Sequence, residues 1–115
     1  MGDFVVEIIA QDNATVVELI GSADLTGTDQ LDRKIMILSA QHPKCVIFDL
    51  TRMTLISSLG MGSLVRFRNA CPHWGGKMFC VGATEVVATA MKRARLDQVL
   101  NLRPSLESAM AEISG

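Results

Sequence analysis

The sequence lacks long hydrophobic runs and any large excess of one charge. No apolar stretch approaches the roughly 18 to 20 residues that a helix needs to cross a bilayer. The formal net charge is -1, which provides no general attraction to nucleic acid or to anionic lipid. The opening residues, Met1 to Phe4, lack the basic and apolar pattern of a secretory signal. We therefore expect a soluble, cytoplasmic protein.

Paired cysteines are also missing. Cys45, Cys71 and Cys80 form no C-x-x-C pair and are odd in number, so we expect reduced and buried side chains. Cys71 and His73 are two residues apart, whereas a structural zinc site needs four ligands at suitable spacings. The sequence therefore predicts neither a metal site nor a cofactor.

Motifs of the common catalytic classes are absent as well. There is no P-loop and no dinucleotide-binding fingerprint, and residues 56–60 do not form the G-x-S-x-G elbow of a serine hydrolase. His42 and His73 lie beside prolines at predicted helix ends, where we expect them to be solvated and away from Ser58. We expect no enzymatic activity, and hydrolysis at Ser58 stays open as an alternative.

What is present fits one globular domain spanning 1–115. The chain has 115 residues, 49% of them hydrophobic, which is enough for a single core. Apolar periodicity predicts strands at 5–10, 15–20, 44–50, 77–81 and 99–102, and helices over 29–41, from the 54–63 segment to about 70, over 85–94, and from about 104 onward.

The order of these elements predicts an α/β architecture. Strands that alternate with helices imply a mostly parallel sheet with helices packed on it. The first two strands are expected to form an antiparallel hairpin that turns at Asp12 and Asn13. The expected result is a mixed sheet of four to five strands with about four helices.

Polar residues lie at the ends of several predicted helices and strands. Thr84 is expected to cap the helix over 85–94. The segment 26–28 is expected to cap the helix that begins at 29, and Asp24 alternatively ends the second strand and caps the region 25–28. Asp49 is expected to act as a hydrogen-bond acceptor where the third strand ends.

The most informative segment is 54–63, with the sequence TLISSLGMGS. It follows the apolar strand 46–50, and an amphipathic helix begins inside it. The free amides and the dipole of a helix N-terminus favour negative charge, and the two glycines allow close approach of a docking group. We therefore interpret Ser58 as a phosphorylation switch, with a plain helix cap as the structural alternative for Ser57 and Ser58.

The order of elements and this junction resemble the STAS domain, a family named for sulphate transporters and anti-sigma factor antagonists. Bacterial antagonists of this type carry a hydrophobic strand, Asp-Leu, a few residues, Asp-Ser-Ser-Gly-Leu-Gly and a helix. The counterpart here is VIFDL at 46–50 followed by ISSLGMG at 56–62. The segments GSAD at 21–24 and GGKM at 75–78 also match the family pattern, so the likeness covers essentially the whole chain.

The resemblance implies roles for single residues. Ser58 takes the position of the phosphorylated serine, Asp24 that of an acidic residue close to it, and Gly60 and Gly62 those of the glycines at the helix start. Ser57 stands where the family usually has an acidic residue and is the alternative acceptor.

The next position departs from the family as well. Leu59 stands where a further serine is common. Leu59 and Met61, beside the switch, are interpreted either as core residues or as exposed contacts for a partner.

The resemblance also implies partners. In the family, a serine kinase that is itself an anti-sigma factor binds the unmodified domain, phosphorylation releases it, and a serine phosphatase resets it. The expected partner-binding residues are Asp24, Ser57, Leu59, Gly60, Met61 and Gly62. The alternative is a non-phosphorylated structural STAS subunit of a stress-signalling assembly or of a transporter complex.

Overall fold

Strands and helices alternate after an opening strand pair in the computed structural model, which describes residues 4–11 and 14–114. The strands are β1 (Val5–Gln11), β2 (Ala14–Ala23), β3 (Cys45–Asp49), β4 (Met53–Ile56), β5 (Lys77–Val81) and β6 (Leu102–Arg103). The helices are α1 (Leu25–Gln41), α2 (Ser58–Ala70), α3 (Glu85–Arg93) and α4 (Leu106–Ser114), and a 3-10 turn (Cys71–Trp74) follows α2. The predicted turn at Asp12 and Asn13, and residues 1–3, lie outside the described residues.

The strands of the described chain form one mixed sheet in the order β1-β2-β3-β5-β6, with β4 paired to β2 beside the end of β3. β1 and β2 are antiparallel, and the other pairs are parallel. The parallel pairs are connected through helices, as crossover geometry requires. The predicted α/β fold with an antiparallel N-terminal hairpin is therefore confirmed.

Each face of the sheet carries its own hydrophobic core. Helices α1, α2 and α3 cover one face and bury a large cluster that includes Phe48 and Phe67, whose rings meet edge to face at 5.6 Å. Helix α4 covers the other face at the β3, β5 and β6 side, where Ile47 and Phe79 form a smaller cluster. A strand that is buried on both faces has apolar residues at consecutive positions. This explains the continuous apolar sequence at 46–48.

The described sheet has six strands, so the expected four to five was too few. The missing strand is β4, because its residues 54–56 belong to the segment that predicts the strand-to-helix junction. Only Met53 and Ile56 of this strand are buried, and Leu55 is exposed. Four residues with two buried positions carry too weak an alternation to predict a strand.

Two element boundaries were also wrong. α1 begins at Leu25, four residues before the predicted start, because Asp24 is its N-cap. The expected strand over 99–102 is displaced to Leu102–Arg103, because backbone bonds such as Leu100 N–H to Leu96 O, at 2.8 Å, hold the preceding residues in a turn.

The three cysteines are buried and free, as predicted. Burial raises the pKa of the Cys45 and Cys71 thiols and raises the pKa of Cys80 to about 12. Within the described ranges, no group of three or more His, Cys, Asp or Glu side chains could hold a metal ion. No helix among these residues is both long and apolar enough to cross a membrane.

Candidate functional site

Two helix N-termini meet at one end of the sheet. β2 leads into α1 and β4 leads into α2, and these strands pair in parallel so that Ala23 lies beside Ile56. The backbone N–H of Ser57 donates to the oxygen of Ala23 at 2.9 Å. The carboxyl ends of both strands therefore bring the two helix starts side by side. Each start has amides without a partner inside its own helix and carries the positive end of the helix dipole.

Asp24 builds the start of α1. Its carboxylate accepts the backbone N–H of Gly27 at 3.0 Å, and its backbone oxygen accepts the Thr28 hydroxyl at 2.8 Å. Gly27 is needed here because a Cβ would lie 2.9 Å from both Phe4 Cβ and the backbone oxygen of Ser22. Of the two capping possibilities, the one through Asp24 is confirmed, and the cap by the segment 26–28 is wrong.

Ser57 builds the start of α2. Its hydroxyl oxygen accepts the backbone N–H of Gly60 at 3.0 Å and lies 3.4 Å from the Thr28 hydroxyl oxygen. Because the Thr28 proton is directed to the Asp24 backbone oxygen, the Ser57 hydroxyl is the donor in this second contact. Ser57 is therefore the helix cap, and both sides of its hydroxyl are engaged.

Ser58 is the first residue of α2 and is exposed. Among the residues that the structure describes, its hydroxyl has no hydrogen-bond partner. The first turn of α2 contains no acidic side chain that would oppose an anion. The position therefore combines an accessible hydroxyl with the electropositive end of a helix.

The residues that follow Ser58 divide between surface and core. Leu59 is exposed over 55% of its area, whereas Met61 is buried with the large cluster. Gly60 is buried, and a Cβ there would lie 3.1 Å from Ile56 Cγ1. A Cβ at Gly62 would instead find Arg66 Nη1 as its nearest neighbour at 3.6 Å. Leu59 and Gly62 are thus on the accessible side, and Gly60 and Met61 serve packing.

A polar contact between α1 and α2 was missed by sequence reasoning. The Ser63 hydroxyl is fully buried and donates to Asp32 of α1, and Arg66 donates to the same carboxylate oxygen at 2.9 Å. The Ser63 hydroxyl also contacts the backbone oxygen of Leu59 at 3.2 Å. Ser63 and Arg66 are three residues apart on one helix, and this spacing of polar groups was the available signal.

Neither histidine is brought to Ser58. His42 follows the last residue of α1 and stacks on Trp74 with ring centroids 5.0 Å apart. The 17 residues of α1 separate it from Asp24 by about 25 Å.

Asp49 accepts the backbone N–H of Thr51 at 3.0 Å and its hydroxyl at 2.7 Å, which confirms it as a turn acceptor.

Comparison with known proteins identifies the family. Residues 5–109 match the STAS domain model, and the chain therefore belongs to the STAS domain family.

Solved structures share the fold at low identity. An anti-sigma factor antagonist from Mycobacterium paratuberculosis has a TM-score of 0.90 and 19% identity, covering 98% of this chain and 96% of that one. The anti-sigma factor antagonist SpoIIAA in its unphosphorylated form has a TM-score of 0.80 and 18% identity, covering 98% and 97%. A sulfate transporter family protein from Wolinella succinogenes has a TM-score of 0.75 and 20% identity, covering 90% and 87%.

Proposed function

We propose that this protein is an anti-sigma factor antagonist that binds a serine-kinase anti-sigma factor through the surface around Ser58. Phosphorylation of Ser58 by that kinase releases the complex, and a serine phosphatase restores binding. The observation that carries the proposal is that the two neighbouring serines have different environments. Ser57 is engaged as the cap of α2, whereas Ser58 presents its hydroxyl to solvent at the same helix start.

A phosphate at Ser58 is compatible with the fold. It adds about -1.5 to -2 charges and three strong acceptors, and the α2 N-terminus accepts negative charge in place. The modified chain therefore keeps its structure while the Ser58 side chain changes from neutral to anionic. A loss of about 3 kcal/mol at a partner contact weakens binding by roughly a hundredfold.

The partner surface follows from exposure. Leu59 projects next to Ser58, and Leu55 of the neighbouring strand is also exposed. Asp24 and the Gly62 backbone border the same junction and are at least partly accessible. An apolar centre with a polar border is the usual anatomy of a protein interface, so we place the kinase contact on these residues.

Ser57 is a poor acceptor by the same geometry. A phosphate on its oxygen would remove the donor hydrogen that faces Thr28 and crowd the bond from Gly60. Losing an N-cap costs about 1 kcal/mol of helix stability. Modification at Ser58 needs no such loss.

The test uses the serine kinases with anti-sigma character from the same genome. Each kinase is incubated with the chain and ATP, and the modified residue is mapped by mass spectrometry. We expect phosphate on Ser58 in the wild type and in Ser57→Ala, and none in Ser58→Ala. Incorporation that persists in Ser58→Ala, or none at either serine with every kinase, would contradict the switch.

Binding is tested separately with ADP-loaded kinase by titration calorimetry. Ser58→Asp and Leu59→Lys are expected to weaken binding at least tenfold. Met36→Lys, at an exposed position about 18 Å along α1 from Asp24, serves as the control. A structural subunit of a larger assembly is the second candidate, favoured by the shared fold with a sulfate transporter family protein. That candidate predicts partner affinities unchanged by Ser58→Asp.

A further inference from the structure

Strand β1, which has seven residues, forms one edge of the sheet and lacks the features that usually prevent edge strands from pairing. It has no proline and no lysine, its register to β2 runs without a bulge from Val5 to Gln11, and Glu7 is its one charged residue. Val5, Ile8 and Ile9 are all exposed hydrophobic side chains. Natural edge strands normally carry charges, prolines or bulges that block association, so this edge is suited to pairing.

The register of the hairpin determines which backbone groups point outward. Only two residues separate Gln11 from its partner Ala14, so this closing pair exchanges hydrogen bonds. Bonded and non-bonded pairs then alternate along an antiparallel ladder. The backbone groups of Val6, Ile8 and Ala10 therefore face away from β2.

These outward groups are self-complementary. If a second copy pairs antiparallel with Ile8 opposite Ile8, then Val6 lies opposite Ala10 of the other copy, and all three pairs can exchange hydrogen bonds. Ile8 is the middle residue of β1, so this register uses the full strand. Glu7 then lies opposite Ile9, and the two Glu7 carboxylates avoid the direct opposition that would repel them.

Helix α1 would meet its counterpart in the same arrangement. α1 packs across both β1 and β2, so pairing at β1 places the two α1 axes about two strand spacings, or roughly 10 Å, apart. That is the distance at which helices pack directly. Asp32 of α1 contacts α2, and the opposite flank of α1 would face the second copy.

Ile37 lies on that flank at the level of the symmetry axis. Gly27 of α1 packs on Phe4, and Ile37 is ten residues, about 15 Å, further along the helix. Ile8 is four residues, about 14 Å, beyond Phe4 along the strand. Ile37 and Ile8 are exposed over 51% and 43% of their areas, and both would be buried against their own counterparts.

We infer that two copies of this chain form an isologous dimer through antiparallel β1 pairing, with Ile8 and Ile37 at the two-fold axis. A specific interface buries on the order of 1,000 Å² or more, and Ile37 of each copy adds apolar area to the strand edge from a flank of α1 that otherwise carries polar side chains such as Lys34. Ser58 lies beyond the β3 side of β2. Both copies of the site therefore remain exposed, at opposite ends of the dimer.

Sedimentation velocity on the full chain tests this inference. The wild type should have twice the 12.5 kDa mass of the chain, and Ile8→Lys and Ile37→Lys should each raise the dimer dissociation constant about tenfold or more. Met36→Lys is the matched control, because Met36 is even more exposed, at 72%, but lies toward the α2 side of α1. Circular dichroism verifies that each variant is folded.

A cross-link tests the register. Residues in a bonded antiparallel pair have Cα atoms about 5.5 Å apart, within the range of a disulfide, so Ile8→Cys should form a covalent dimer under mild oxidation. Ile9→Cys should not, because the two copies of that position are diagonal and about 8 Å apart. A wild type that is monomeric at about 100 µM, or equal cross-linking at both positions, overturns the inference.

Discussion

The side-chain oxygens of Ser57 and Thr28 lie 3.4 Å apart, and this contact joins the starts of α2 and α1. Thr28 is buried and directs its own hydroxyl proton to the backbone oxygen of Asp24. The contact therefore links both helix caps, Asp24 and Ser57, into one hydrogen-bonded unit. Ser58 follows this unit directly in the chain and is itself exposed.

The two serines should respond differently to alanine. Ser57→Ala removes the acceptor for the Gly60 N–H and should lower the free energy of unfolding by about 1 kcal/mol, or the melting temperature by about 4 °C. Ser58→Ala, at an exposed position, should change stability by less than about 0.5 kcal/mol. Urea unfolding of both variants measures the difference, and a larger cost at Ser58 would refute the assigned cap.

Alanine substitutions at the two glycines of α2, Gly60 and Gly62, should have different effects on stability. A Cβ at Gly62 has room, with Arg66 Nη1 at 3.6 Å, so Gly62→Ala should gain about 0.5 to 1 kcal/mol from helix propensity. At Gly60 the same Cβ lies 3.1 Å from Ile56 Cγ1 and 3.5 Å from Ala23 Cβ. Crowding should cancel the gain, leaving Gly60→Ala about 0.5 to 1 kcal/mol less stable than Gly62→Ala in thermal unfolding. Equal stabilities would contradict the close packing of Gly60.

The contact between α1 and α2 should depend on Ser63 more than on Arg66. Ser63→Ala removes a buried donor to Asp32 and should cost about 1 kcal/mol. Arg66 pairs with Asp32 on the surface, with most of its side chain in solvent, and Arg66→Ala should cost about 0.5 kcal/mol or less. Unfolding at low and at high salt distinguishes them, because only the Arg66 effect should shrink as salt rises.

Alkaline pH should destabilise the fold through Cys80. Burial raises the pKa of this thiol to about 12, so the native chain keeps the proton while the unfolded chain loses it above its ordinary pKa. Stability is therefore present below about pH 9 and decreases toward pH 12. Between pH 7.5 and 10 the wild type should lose about 1 to 2 kcal/mol more than Cys80→Ala.

Urea unfolding under reducing conditions at the two pH values measures this difference. The Cys80→Ala variant is less stable at both pH values because it leaves a small cavity, but its dependence on pH should be flatter. The chain has no tyrosine, so phenol ionisation does not contribute in this range. Parallel pH profiles for the two proteins would contradict the assigned role of burial.

Most of the fold could be predicted because its elements carry strong local patterns. The run at 46–48 is apolar because β3 is covered on both faces, and Leu31, Ile35 and Leu38 form one helical stripe that the core buries. β4 could not be predicted, since its short pairing with β2 follows a register shift between Gly21 and Ser22. That shift depends on how β2 leaves β3, which is a tertiary property.

The candidate site was predicted in part. Segment 54–63 indicated a helix start with a serine beside it, because capping residues and glycines are local signals. Which serine caps and which is exposed could not be read from two identical neighbours. Thr28 was missed because its 29-residue separation from Ser57 leaves no sequence signal for the contact.

The sequence by itself determined the alternation of strands and helices, the apolar cores and the place of the serine junction, because these depend on periodicity and on residues that end helices. Only the tertiary structure decided that Ser57 is engaged and Ser58 exposed, that Met61 is core and Leu59 surface, and that β1 is an open edge. Such choices depend on which elements become neighbours, and the packing of distant segments, not local preference, sets the environment of each side chain.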